Sequence, residues 1–277
     1  MLWLNGALLD ESEASLSPAD RGLLLADGLF ETMRAEAGRV RHLSAHMARL
    51  RLGAAVLGLP VPCRDDELAG AMAALLAAEG LAGTAAALRL TLTRGPGPRG
   101  LLPPADPRPT LMLTAFPLPP PRGPSHALLV EGVRRNEHSP TARLKTLAYL
   151  DQILALREAT QAGGDEALLC CTAGRLACAS AANLFLVVDG RVLTPPVADG
   201  ALPGITRSRL LEMGPPAGLA VEALPLPVEM LQRASEAFTT NSLGGIRPVG
   251  RLAGRALEAP GPVTALLIAA LGGDSSD

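Results

Sequence analysis

The chain has 277 residues, a net charge of −2 and 48% hydrophobic residues, of which few are aromatic. Length and apolar content suit two domains of moderate size or one large one, with cores built from Leu, Val and Ala. The near-neutral charge gives no electrostatic reason to expect nucleic acid or an anionic membrane surface as a partner.

The N-terminus lacks a basic stretch followed by an apolar run, so no signal peptide is expected. No apolar run is long enough for a membrane span. The four cysteines, Cys63, Cys170, Cys171 and Cys178, form no CxxC pair and have no His at ligand spacing. Neither a metal site nor a disulfide framework is indicated, and the expected location is cytoplasmic.

In chain order, Trp3 to Leu9 reads as a hairpin turning at Asn5-Gly6. Gly28 to Glu36 reads as a strand, with Arg39 to His42 as its partner after Gly38. Ser44 is a suitable N-cap for a helix to about Leu57. A second helix runs from Asp65-Asp66-Glu67 to about Glu79. Ala85 to Thr93 and Thr110 to Phe116 read as strands around a Pro/Gly/Arg-rich surface loop, Gly95 to Pro109. Pro117 to Pro124 cannot hold regular structure and is expected to link two α+β halves, residues 1–118 and 119–277.

The second half begins with a strand, His126 to Val133, and continues with a helix from about Thr146 to Ala162, so that Lys145 falls at or just before a helix start. Glu166 to Thr172, Arg175 to Ala179, Asn183 to Val188, Arg191 to Thr194 and Glu236 to Thr240 read as strands. A helix starts at Pro203-Gly204-Ile205-Thr206-Arg207, and another ends the chain from Val263 to Leu271, before a frayed tail from Gly272 to Asp277.

Lys145 is the only lysine; every other member of the 25 Lys and Arg is arginine. Guanidinium stays protonated, whereas a partly buried ammonium can lose its proton and act as a base or form a Schiff base. A chain that keeps a single lysine is consistent either with a reactive amine or with a chance survivor on a solvated face. Two other segments look like anion cradles. In Leu202-Pro203-Gly204-Ile205-Thr206-Arg207 a turn feeds a helix start, with free N–H groups and the Thr206 hydroxyl. In Thr240-Asn241-Ser242-Leu243-Gly244-Gly245, hydroxyls and a flexible backbone offer the same. Each alone is an ordinary cap or turn. Together with one lysine they suggest a phosphorylated cofactor that forms an imine, pyridoxal 5'-phosphate.

Further segments carry a resemblance. They are Asp20-Arg21-Gly22-Leu23 with Gly28-Leu29-Phe30-Glu31-Thr32, Ala45-His46-Met47-Ala48-Arg49-Leu50, Leu144-Lys145-Thr146-Leu147 and Asp165-Glu166-Ala167-Leu168. After them come Ala182-Asn183-Leu184-Phe185, Thr194-Pro195-Pro196, the Pro203 to Arg207 segment, and Asn241-Ser242-Leu243 with Arg247-Pro248-Val249. In this order, over nearly the whole chain, they resemble the class IV aminotransferases. That is the fold-type IV pyridoxal-phosphate family, which includes branched-chain and D-amino acid aminotransferases and 4-amino-4-deoxychorismate lyases.

The resemblance implies an α+β fold of two domains with the cofactor in the interdomain cleft, a homodimer and a small amino-acid-like substrate. It implies that Lys145, carried by the second domain, is the catalytic Schiff-base lysine. It implies phosphate contacts from Arg49, Ile205, Thr206, Ser242 and Leu243. The family usually has a glutamate five residues before Asn-Leu-Phe, where it bonds the pyridine nitrogen; here that position is Cys178. A thiol that stays neutral supports the ring poorly as an electron acceptor, which disfavours transamination more than a fast elimination. A second departure is Ala148, where lyase-like and D-amino-acid-like members often carry Asn three residues after the lysine.

The ending around Asn241-Ser242-Leu243 and Arg247-Pro248-Val249, together with the short N-terminus, looks most like the deoxychorismate-lyase branch. The expected activity is therefore loss of pyruvate from 4-amino-4-deoxychorismate to give 4-aminobenzoate. The alternatives are transamination of branched-chain or D-amino acids and a catalytically silent ligand-binding relative. Arg134, Arg135, Arg143 and Arg247 are candidate partners for a substrate carboxylate.

Overall fold

A computed structural model describes residues 1–213 and 219–272. The chain divides into two units. The first is Met1–Pro120 together with Leu144–Ala148; the second is Pro121–Arg143 and the chain from Tyr149 onward. The lysine segment thus groups with the first unit, not with the second domain as the sequence suggested. The cause is local: Phe30 N–H donates to the Lys145 carbonyl at 2.9 Å and Leu147 N–H to the Gly28 carbonyl at 3.1 Å.

The first unit holds β1 (Leu2–Leu4), β2 (Ala7–Leu9), α1 (Arg21–Leu25), β3 (Gly28–Glu36), β4 (Arg39–Val40), α2 (Leu43–Leu57), α3 (Asp65–Ala78), β5 (Ala86–Thr93) and β6 (Thr110–Pro117). The strands form one antiparallel sheet in the order β2-β1-β6-β5-β3-β4. Asn5 and Gly6 both take positive φ, as a tight hairpin turn requires. Alternation in β3 and β5 sends Leu29, Met33, Leu88 and Leu90 into one core with Met47 and Leu50 of α2 and Leu68, Met72 and Leu75 of α3.

Two expectations shift here. Ser44 lies inside α2 rather than capping it, because the chain leaves β4 through His42 in the left-handed region and the helix starts directly behind it. The short helix α1 carries no periodic apolar pattern; its start is set by Asp20, whose side chain accepts from Gly22 N–H at 2.7 Å. The loop from Gly95 to Pro109 is tied down by Arg21, which donates to the carbonyls of Gly100 at 2.9 Å and Leu101 at 2.8 Å.

The second unit holds β7 (Ser125–Arg135), α4 (Leu150–Gln161), β8 (Glu166–Cys171), β9 (Leu176–Ala179), β10 (Asn183–Val188), β11 (Arg191–Thr194), α5 (Ile205–Glu212), β12 (Val221–Ala223), α6 (Met230–Arg233), β13 (Glu236–Asn241), β14 (Gly245–Leu252), β15 (Arg255–Ala256) and α7 (Pro262–Gly272). A mixed sheet runs β12-β11-β10-β13-β14-β7-β8-β9, with β15 on β14. Its strands β8 and β10 are buried on both faces, which explains their unbroken apolar runs. On one side Phe185, Val187 and Phe238 pack with Leu210 of α5 and Leu267 of α7. On β7 to β9, Val130, Leu169 and Cys178 pack with Ala155 and Ala159 of α4. Helix α4 begins four residues later than expected, since Leu144–Ala148 is drawn along β3. The frayed tail expected beyond Gly272 lies outside the described residues.

Candidate active site

In the first unit, β3 places Gly28 beside the lysine segment, and only a residue without a side chain fits. A Cβ on Gly28 would lie 2.4 Å from the Leu92 carbonyl oxygen and 2.8 Å from Leu147 Cδ1. This close approach sets Lys145 Nζ 4.1 Å from the centre of the Phe30 ring. The Arg89 guanidinium lies 3.8 Å from the same ring. The ring carries two cations, which is favourable when they are shielded from water.

The next residue of β3, Glu31, is buried and accepts from three donors. Arg49 gives it Nε at 2.8 Å and Nη2 at 2.6 Å, and His46 Nδ1 lies 2.7 Å away. His46 and Arg49 are three residues apart on α2, so one helix face delivers both to one carboxylate. Burial opposes the charge on Glu31, but the hydrogen bonds and charges of Arg49 and His46 outweigh it and hold its pKa below the usual value.

These groups set the state of Lys145. Burial, then the neighbouring Arg49, and more weakly Arg89, push its amine down to about 8, while Glu31 pulls the other way. An ordinary lysine stays protonated well above this value. Near pH 8 a large share of Lys145 is therefore deprotonated and able to act as a nucleophile or base.

Arg49 was expected to grip a phosphate through its fork. Its Nε and Nη2 hold Glu31, an edge of the guanidinium separate from the remaining Nη protons. The roles of Glu31, His46, Phe30 and Arg89 were not read from the sequence. The signal present was a carboxylate in a strand followed by His and Arg at helical spacing.

In the second unit the two cradle segments meet. Ile205 and Thr206 form the first turn of α5, and Gly204, in extended backbone, precedes them as N-cap. The Thr206 hydroxyl donates to the Asn241 carbonyl at 3.1 Å, so the helix start sits on the turn after β13. Asn183 holds the approach: its Nδ2 donates to the Leu202 carbonyl at 2.9 Å. A Cβ on Gly204 would lie 2.0 Å from Asn183 Oδ1. Within the turn, Asn241 Oδ1 accepts from Leu243 N–H at 3.1 Å and Gly244 N–H at 2.8 Å. The Leu243 N–H expected to contact phosphate is thus engaged inside the turn, while Ser242 is half-buried beside it.

Cys178 is buried on β9, facing Leu169 of β8. Burial, with smaller contributions of the same sign from Glu166 and Cys170, pushes its thiol up to about 11 against the opposing charge of Arg135. It is neutral at physiological pH and cannot act as a carboxylate would. Glu166 is the acid nearest along the paired strands. Alternation puts it on the other face of β8, where Oε1 accepts from Ser180 N at 3.1 Å and from Ser180 Oγ at 2.5 Å. It does not replace the missing carboxylate.

Of the four candidate carboxylate partners, Arg135 is spent on the carbonyls of Gly200 and Ala142. Arg247 pairs with Asp165 and donates to the Gly123 carbonyl. Arg134 and Arg143 are exposed.

Comparisons with known proteins give the relatives of this chain. A Methanocaldococcus jannaschii protein provisionally named as a branched-chain-amino-acid aminotransferase is 35% identical over 259 residues, which cover 93% of this chain and 89% of that protein. The crystal structure of 4-amino-4-deoxychorismate lyase from Pseudomonas aeruginosa superposes with TM-score 0.85 at 33% identity, covering 99% of both chains. A T.th. branched-chain amino acid aminotransferase, solved as a complex with N-(5'-phosphopyridoxyl)-L-glutamate, gives TM-score 0.88 at 27% identity, covering 98% of this chain and 92% of that one. Residues 28–252 match the family model for amino-transferase class IV, and the chain belongs to that family.

Proposed function

We propose that this protein is a pyridoxal-phosphate enzyme whose lone lysine carries the cofactor, and that it eliminates pyruvate from 4-amino-4-deoxychorismate to leave 4-aminobenzoate. The observation that carries the cofactor reading is the amine of Lys145, held near pKa 8 over Phe30 between Arg49 and Arg89. The chain's groups fit the cofactor's two functional ends. Lys145 suits the aldehyde, and the first-turn N–H groups of α5 at Ile205 and Thr206, with the Ser242 hydroxyl, suit the phosphate.

When bound, pyridoxal phosphate links to an amine as a C=N bond and draws electron density from the adjacent carbon. Lys145 Nζ would take the proton from the substrate Cα. Arg49 and Arg89 lower the cost of carrying that amine neutral. Glu31 keeps Arg49 in place. Cys178 is offered as the residue facing the ring nitrogen. A neutral thiol there gives the ring little help in holding charge, so a fate that discharges the carbon quickly is favoured over return of a proton. This supports elimination over transfer.

A second reading is transamination of a branched-chain amino acid, favoured by the 35% identity to the Methanocaldococcus jannaschii protein. The family also suggests a homodimer. Exposed Leu23, Leu24, Leu101 and Leu102 in the first unit and Leu150 and Ile153 in the second supply apolar surface for it. Light scattering should then give twice the 28.5 kDa chain mass.

Purified enzyme given aminodeoxychorismate and no keto acid should release pyruvate. If product forms only when a keto acid is added, the elimination reading is wrong and transamination takes its place. Cys178→Glu should raise transamination relative to elimination; an unchanged ratio would remove the argument from the thiol.

A further inference from the structure

The buried arginines of this protein are not alike. Arg21 and Arg94 both pair with Asp27, at 2.9 and 2.8 Å. Arg49, nearly as buried, pairs with Glu31. Arg207 is 5% exposed and has no carboxylate partner among the described residues. Its Nη2 donates to one neutral group, the Pro195 carbonyl, at 3.0 Å, and its Nε has no partner at all. Burial alone acts on its pKa, pushing it down. A buried charge without a counter-charge is costly, and natural chains seldom keep one without a use.

Its location supplies the use. Arg207 is the third residue of α5, one past Thr206. Its Cβ would touch a side chain placed on Gly204, as would Asn183 Oδ1. A second orphan lies close by. Thr240 is 2% exposed and its hydroxyl has no partner among the described residues. Thr240 pairs with Asn183 across β13 and β10, and it shares a strand face with Phe238, which packs on Leu210 of α5. The Thr240 hydroxyl, like the Asn183 amide, is therefore turned to the α5 side of the sheet. A helix start, a cation without a counter-charge and an unused donor lie on the same side of the sheet.

We propose that Arg207 is the built-in counter-charge for a phosphate dianion seated on the first turn of α5, acting by its field rather than by contact, with Thr240 as a reserve donor on the same side. This rests on the reading of α5 as the seat of the cofactor's phosphate and says what sets its affinity. The chain tolerates an unpaired cation because the ligand completes the pair. Arg207 is a positioning residue, not a catalytic one.

The test uses the full chain freed of cofactor, with inorganic phosphate as the probe, read by unfolding temperature. Pyridoxal and pyridoxal phosphate then serve as a pair of ligands differing only in the phosphate. Wild type should be stabilised by phosphate and should prefer pyridoxal phosphate. Arg207→Gln, which can still donate to Pro195, should need about tenfold more phosphate for the same rise and lose about tenfold in pyridoxal phosphate affinity. Its affinity for pyridoxal should not change. Arg207→Lys should recover most of the loss, and Thr240→Val should lose two- to threefold while melting no lower than wild type without phosphate.

A structural strut would instead lower the melting temperature of Arg207→Gln and leave the phosphate midpoint where it was; that result overturns the proposal. If Arg207→Gln does not fold, an unchanged midpoint in Thr240→Val overturns it. Wild type that ignores phosphate and binds pyridoxal as well as pyridoxal phosphate defeats the underlying seat, and the proposal with it.

Discussion

The surroundings of Lys145 and the start of α5 handle charge in opposite ways. Around the lysine, charges are settled within the protein: Glu31 gathers Arg49 and His46, and burial, helped by Arg49 and Arg89, lowers one amine. At α5 the donors are backbone groups, and among the described residues one hydroxyl is idle and Arg207 has no carboxylate partner. The first region is organised to fix the chemistry of one atom before anything binds. The second is left open for an anion to complete. In the proposed reading, reactivity is tuned by burial and internal charges, whereas affinity comes from a cation that gains its counter-charge when an anion binds.

The comparison is broken most severely at Lys145. Lys145→Ala should abolish turnover, by at least 1000-fold, while phosphate still stabilises the protein through α5; steady-state assays with a thermal shift check both halves. Glu31→Gln comes next. It removes the carboxylate charge that faces buried Arg49 and His46 and should cost about 3 kcal/mol by urea denaturation.

The same substitution has a pH signature. The folded pKa of Glu31 lies below its unfolded value, so its contribution is present above the unfolded value and is lost as pH falls through the folded one. Wild type should therefore lose stability in acid more steeply than Glu31→Gln. Because Glu31 pulls the Lys145 pKa up, the variant's amine should titrate below about 8.

Gly204→Ala forces a methyl to within 2.0 Å of Asn183 Oδ1. It should cost about 2 kcal/mol and weaken phosphate binding, with the Lys145 titration unmoved. The smallest effect is expected at Arg247, whose pair with Asp165 is partly solvated; Arg247→Ala should cost about 0.5 kcal/mol and leave pyruvate release unchanged.

Much of this architecture was legible in the sequence because it depends on local rules. Alternation marked β3, β5 and β6, Asn5-Gly6 marked the first hairpin, and the acidic run at Asp65 marked the start of α3. The lone lysine and the Pro203 to Arg207 segment were visible as residue types. What could not be read was long-range pairing. Nothing near Lys145 in sequence announces that its backbone joins β3 at Phe30, more than a hundred residues earlier, so the segment was assigned to a helix start and to the second half. Glu31 and Glu166 likewise acquire their roles only from partners brought in by the fold. The missing counter-ion of Arg207 is a property of burial, and no spacing rule reports it.

Borohydride reduction of the protein loaded with pyridoxal phosphate, followed by peptide mass analysis, tests the central claim most directly. The phosphopyridoxyl mass should appear on the peptide containing Lys145, and its yield should rise with the pH of loading through about 8. No added mass on that peptide, or a yield that rises only near the ordinary lysine pKa, would contradict the account.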